Sequence, residues 1–168
     1  MTKGAAKAAK RVPSSAVQLP SPQRIPMKLR GVSVESPHSD HHPLWRLQLL
    51  DQEYDGDWSW QKIDGPTTLK IVNLLTAMER LTWLQVRSLM TGGRDRRGAL
   101  HKSIPVGHLC TPAQQRLSEL GLDDLDEMFR FRLGNMERLW GVIVNEGPLV
   151  FYPVWWDPDH KICPSQDR

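Results

Sequence analysis

The sequence predicts an α+β domain, a small antiparallel sheet packed by about three helices. Three observations carry this. Alternating apolar and polar runs mark strands at both ends of the domain, apolar residues three and four apart mark helices between them, and glycine- or proline-bearing turns separate the runs. The elements read ββ-α-α-α-βββ: an N-terminal hairpin and a C-terminal three-stranded meander in one sheet, with the helices on one of its faces.

Taken in order, residues 1–43 are expected to be a disordered basic tail and linker. Prolines at 13, 20, 22, 26, 37 and 43 interrupt helices, and large hydrophobes are too few to offset the entropy of ordering. Residues 44–165 form a single domain, and 166–168 a free C-terminus. Trp45, Leu47 and Leu49 alternate with Arg46 and Gln48, and Trp58 to Ile63 alternates again beyond the acidic turn Asp51–Asp57. These two runs are read as the hairpin. Past Gly65-Pro66-Thr67, the stripe Leu69, Val72, Leu75 and Met78 predicts a helix, thickened by Ile71, Leu74 and Leu81. Thr82 and Gln85 have the spacing of a capping box and open a second helix, running to about Met90. A glycine-rich loop follows with Arg94, Arg96 and Arg97, and then an extended stretch at 101–106. Thr111 and Gln114 repeat the capping-box spacing with Pro112 at the first helical position, and Gly121 is a natural helix end. Three strands, 128–133, 139–144 and 149–156, are joined by turns at Gly134-Asn135 and Asn145-Glu146-Gly147.

Composition narrows the function classes. A net charge of +3 is modest, so the placement of the basic residues matters more than their sum. No stretch is long and apolar enough to span a membrane, and the N-terminus lacks the apolar segment of a secretory signal. Cys110 and Cys163 make no disulfide framework, and the expected setting is cytoplasmic. Phosphate-cradling glycine loops, nucleophile elbows and HExxH helices are missing from the sequence.

The candidate chemistry gathers in the last third. With Phe129, Phe131 and Leu133 on one sheet face, Arg130 and Arg132 take the other. Arg138 enters the next strand, Trp140 shares its face, and the chain leaves through His160-Lys161. Arginine forks bind phosphate oxygens and aromatic rings stack on bases. An imidazole exchanges protons with a ribose hydroxyl, and a cation stabilises the charged transition state. The alternative is that Arg130 and Arg132 form only the solvated side of a strand. Two further groupings stand beside this one. His108, Cys110, His160 and Cys163, with His101 in reserve, are of the ligand types that zinc uses, although Cys110 also reads as a small buried hydrophobe. Asp123, Asp124, Asp126, Glu127, Asp157 and Asp159 are acids of the kind that hold magnesium, although their surroundings also read as turns. No metal or other cofactor is expected.

The pattern Arg130-Phe-Arg132-Leu-Gly134, Arg138-Leu-Trp-Gly141, the apolar run 150–156 and His160-Lys161 resembles the C-terminal sheet of RelE/ParE-like toxins. The resemblance covers about the last forty residues. It implies a RelE/ParE-like fold and a toxin of a toxin–antitoxin or phage-related system that cleaves messenger RNA without metal. A cognate antitoxin and the RNA or ribosome would be its partners. Arg132, Arg138, His160 and Lys161 would be catalytic, with Tyr152 behind them, and Arg130, Trp140, Arg94, Arg96 and Arg97 would bind nucleic acid. The extra N-terminal segment and the Trp-Trp-Asp-Pro-Asp-His ending depart from that family's pattern. The alternative is a non-enzymatic module that binds a protein target such as the replication machinery.

Overall fold

A computed structural model of the chain describes residues 39–92 and 98–164. The tail before Ser39, the loop arginines Arg94, Arg96 and Arg97, and residues 165–168 lie outside the described residues. The elements run β1 (Leu44–Trp45), α1 (Gly65–Met78), α2 (Trp83–Ser88), β2 (Lys102–Pro105), α3 (Thr111–Glu119), β3 (Glu127–Arg132), β4 (Arg138–Asn145) and β5 (Leu149–Asp157). The five strands form one mixed sheet in the order β1-β5-β4-β3-β2. The α+β class and the C-terminal meander are as the sequence predicts. The rest of the arrangement is not.

The expected N-terminal hairpin does not form. β1 lasts two residues and lies parallel to β5, with Leu44 opposite Val150 and Trp45 opposite Phe151. The run Trp60–Lys62 is a 3-10 turn. Between them the chain wraps around the edge of β5 instead of doubling back. Trp45 packs on one side of the sheet, Tyr54 and Trp58 on the other, and Trp60 and Ile63 on the first side again. Indoles two residues apart thus go to opposite faces, which a strand does not allow. A bulge in β5 anchors the wrap. The pairing shifts between Trp140/Trp155 and Gly141/Pro153, and the carbonyl of the extra residue, Val154, accepts from the Asp51 amide at 3.1 Å and from Trp60 Nε1 at 2.7 Å. Pro153 sits at that bulge, where it interrupts no ladder.

The helices occupy both faces, which overturns the expectation that one sheet face is left open. Ile71 and Met78 of α1 and Trp83 and Val86 of α2 pack on Phe129, Phe131, Leu139, Phe151 and Trp156. Ala113 and Leu117 of α3 join Trp58, Met128, Trp140, Val142, Val154, Trp155 and Ile162 on the opposite face. In α1 the stripe is rotated from the one expected: Ile71 and Met78 are buried, while Leu69 and Val72 are 60% and 50% exposed. Asp64 caps this helix by accepting from the Thr67 amide at 2.8 Å.

The Thr82–Gln85 capping box is present in both directions. The second expected box is not. Cys110 holds the cap position of α3 without a side-chain bond, and Gln114 Nε2 donates to the Leu109 carbonyl instead. Gly121, at φ 68°, ends α3 as expected. The Leu122 amide reaches the Leu117 carbonyl and the Gly121 amide the Ser118 carbonyl, the paired bonds of a Schellman motif. Residues 39–43, which the sequence assigns to the linker, are docked on α2. The Trp83 and Leu84 amides donate to the His41 and Ser39 carbonyls. Among the described residues, no helix is long and apolar enough to cross a membrane.

Candidate functional site

Strand register brings the meander's basic residues together. Arg130 lies opposite Trp140, and Arg132 opposite Arg138, so all four share the face that α3 covers farther along. Arg138 in turn lies opposite Asp157 at the end of β5. Asp157 is buried, and its carboxylate oxygens accept from the amides of Lys161 at 2.9 Å and Ile162 at 3.0 Å. This closes the turn 157–162 on itself. Within that turn His160 takes a left-handed conformation, φ 59°, which costs a non-glycine residue roughly 1 kcal/mol. The imidazole comes back to the sheet, and its Nε2 lies 3.2 Å from Arg130 Nη1.

That contact fixes a tautomer. A guanidinium only donates, so His160 Nε2 must accept and the ring proton sits on Nδ1. Burial, and then the charges of Arg138 and Arg130, lower the His160 pKa, with Asp157 opposing. The ring is therefore neutral at physiological pH.

The three arginines differ in what they can do. Arg138 is buried, at 3% exposure, and donates to the carbonyls of Gly134, Asn135 and Glu137. It staples the β3–β4 turn, and its charge stands behind Arg130 and Arg132. Burial, followed by the charges of Arg130 and Arg132, lowers its pKa to about 10, which leaves it protonated at neutral pH. Arg132 uses only Nε, on the Gly134 carbonyl at 2.8 Å, and its two terminal amino groups have no acceptor among the described residues. Arg130 gives Nη1 to His160, and its Nε is buried without a partner. Neither Arg130 nor Arg132 has a carboxylate within ion-pair distance among the described residues.

Other expected members are elsewhere. Trp140 is fully buried in the core, so it offers no ring face to a base, contrary to the stacking role expected of it. Lys161 forms ion pairs with Asp57 at 3.1 Å and Asp159 at 3.6 Å. Tyr152 is buried toward the far end of the β4–β5 hairpin, where its hydroxyl donates to Glu146, itself paired with Arg46. The Cys110 amide donates to the carbonyl of Ile162, the residue before Cys163, at 2.7 Å. Even so, His108, Cys110, His160 and Cys163 do not gather. No three His, Cys, Asp or Glu side chains converge as a metal set among the described residues, and the acidic group around Asp123 does not either.

One contributor was placed wrongly by the sequence. His101, held in reserve as a zinc ligand, is buried against Phe131 with ring centroids 5.1 Å apart. Its Nδ1 accepts from the Arg132 amide at 3.1 Å. Burial, then Arg130, lowers its pKa to about 4, so it is a neutral ring that orders the end of β3 beside Arg132. No local signal marks this role, since it follows from the pairing of β2 with β3, which joins residues far apart in sequence.

No family model, curated protein or solved structure matches the chain. Two guanidiniums present unused donors at the sheet end, a third cation stands behind them, and a neutral imidazole is hydrogen-bonded to one of the two. Such a set accepts an anion with several oxygens and places a proton acceptor beside it.

Proposed function

We propose that the chain is a toxin-like protein that acts on RNA. Arg130 and Arg132 hold a backbone phosphate, and His160 takes the proton from the neighbouring ribose 2′-hydroxyl. The observation that supports this reading best is the pair Arg130 and Arg132, without carboxylate partners among the described residues, beside a neutral His160. When a phosphate oxygen takes over the Arg130 donor, His160 Nε2 is released to accept the proton. The 2′-oxygen then attacks the adjacent phosphorus, the 5′-oxygen leaves with a proton from water, and a cyclic phosphate remains. No metal takes part in this reading. A protein of this kind would be held in check by a cognate antitoxin and would meet its RNA free or on the ribosome.

The test compares purified wild type with an Arg132→Ala/His160→Asn double variant, in RNA cleavage with chelator present and in growth on expression. Asparagine tolerates the left-handed turn, so the double variant keeps the backbone while losing the chemistry. Cleavage and growth arrest by wild type alone are expected. Equal RNA integrity and equal growth for both proteins would sink the proposal.

A specific observation favours a second reading, a non-enzymatic module that binds a protein target. Leu69 and Val72 are exposed on α1, away from the core. On that reading Leu69→Asp/Val72→Asp abolishes the growth effect, whereas the Arg132/His160 variant retains it.

A further inference from the structure

The charge and donor inventory at the sheet end specifies more than an anion. Arg130, Arg132 and Arg138 act on one another electrostatically, and Asp157 is the carboxylate whose charge bears on Arg130 and Arg138. Among the described residues, three guanidiniums against one carboxylate leave two positive charges uncancelled, since both nearby imidazoles, His101 and His160, are neutral at pH 7. The unused N–H groups are equally one-sided. Among the described residues they comprise the two terminal amino groups of Arg132, Nη2 and the buried Nε of Arg130, and the buried Nε of Arg138, all donors. Asp157 offers little against this surplus, because each of its oxygens already spends one lone pair on a backbone amide.

A phosphodiester brings one negative charge and two terminal oxygens. A phosphomonoester brings nearly two charges at neutral pH and three terminal oxygens, which matches both the uncancelled charge and the surplus of donors. We propose that the Arg130–Arg132 site is selective for a phosphomonoester dianion, so that in RNA it takes a phosphorylated end in preference to an uninterrupted backbone. This inference rests on the reading of Arg130 and Arg132 as an anion site, and it does not require the chain to cleave RNA.

Small esters separate the two questions, because they contain no ribose. The full chain is titrated calorimetrically at pH 7.5 and low salt with methyl phosphate, dimethyl phosphate and inorganic phosphate. Methyl phosphate and inorganic phosphate should bind at least about tenfold tighter than dimethyl phosphate, the scale expected for one further charge near two partly solvated cations. Arg132→Gln should collapse that preference. Arg80→Gln, the same charge change at an exposed position just past the end of α1, should leave it intact. Cooperative thermal unfolding of both variants serves as the folding control.

Equal affinity for the two esters, no binding of any of them, or a preference that survives Arg132→Gln would overturn the proposal. Oligonucleotides bearing a 5′-phosphate, a 3′-phosphate or neither identify the source. Tighter binding of a phosphorylated end assigns the site to RNA termini, whereas equal RNA binding with the ester preference intact assigns it to small phosphomonoesters. A retained ester preference without RNA cleavage removes the nuclease reading and leaves this one standing.

Discussion

Gly141 shows how a residue of the basic motif can be explained without catalysis. A Cβ at this position would come within 2.3 Å of the Tyr152 carbonyl oxygen and 2.5 Å of the Phe151 ring. The contact is with backbone, beside the β5 bulge, so the strand cannot simply give way. Gly141→Ala is expected to destabilise the chain by about 3 kcal/mol, seen as a lower urea midpoint with an unchanged slope. An unaltered midpoint would mean that the hairpin adjusts freely. His101 supports a second prediction, on pH. Its folded pKa of about 4 lies below the ordinary 6.5, so the unfolded chain binds a proton that the folded chain refuses. Stability is whole above pH 6.5 and drains away as pH falls toward 4, by on the order of 3 kcal/mol. Replacing His101 with Gln, which keeps an acceptor for the Arg132 amide, should flatten unfolding free energy across that window. Persistence of the slope would assign it to other groups.

At the scale of elements, α1 and α2 show what local pattern can and cannot fix. Thr82 and Gln85 close their box entirely within one turn, so the signal was complete in the sequence, and Thr82→Ala should cost about 1 kcal/mol of stability. The face of α1 was not local in this sense. Leu69 and Val72 fit the helical period as well as Ile71 and Leu74, and only the sheet decides which set is covered. Ile71→Ala should therefore cost about 2–4 kcal/mol, while Leu69→Asp stays near neutral; the reverse ranking in thermal melts would contradict the packing. The same distinction governs the strands. The meander was legible because its turns and its alternation are contiguous in sequence. The N-terminal hairpin misled because Trp58 and Trp60 alternate for another reason, the passage of the chain around the β5 edge. At the site, Arg130 and Arg132 were legible from the period of β3. The burial of Arg138 and Trp140 was not, since it depends on the β3–β4 turn and on α3 covering a face the sequence had left open.

On the scale of the whole molecule, the two layers of helix meet the sheet through few polar ties, and one of these connects sequence-distant parts directly. Asp51, in the wrap between β1 and α1, is buried and takes both Arg116 Nε at 2.8 Å and Arg116 Nη2 at 2.6 Å from α3, with Trp155 Nε1 of β5 at 2.9 Å as a third donor. Wrap, α3 and central sheet converge on one carboxylate. Burial alone would raise the Asp51 pKa, but the hydrogen bonds from Arg116 and Trp155 and the Arg116 charge outweigh it and hold the pKa below the usual carboxylate value. The sign follows. Asp51 contributes stability that is present above about pH 4 and lost as pH falls through its lowered folded pKa, a window below that of His101. Removing one partner is harsher than acid, because it strands the others. Asp51→Ala leaves Arg116 with only its Nη1 bond to Glu119 and the indole N–H of Trp155 without an acceptor, and the expected loss is about 3 kcal/mol. Arg116→Met in the same chain should recover part of that loss, since the guanidinium that lost its buried partner is gone, whereas independent effects would simply add. A double-mutant cycle read by urea unfolding measures the difference. Additivity would mean that α3 holds its face of the sheet through apolar packing alone.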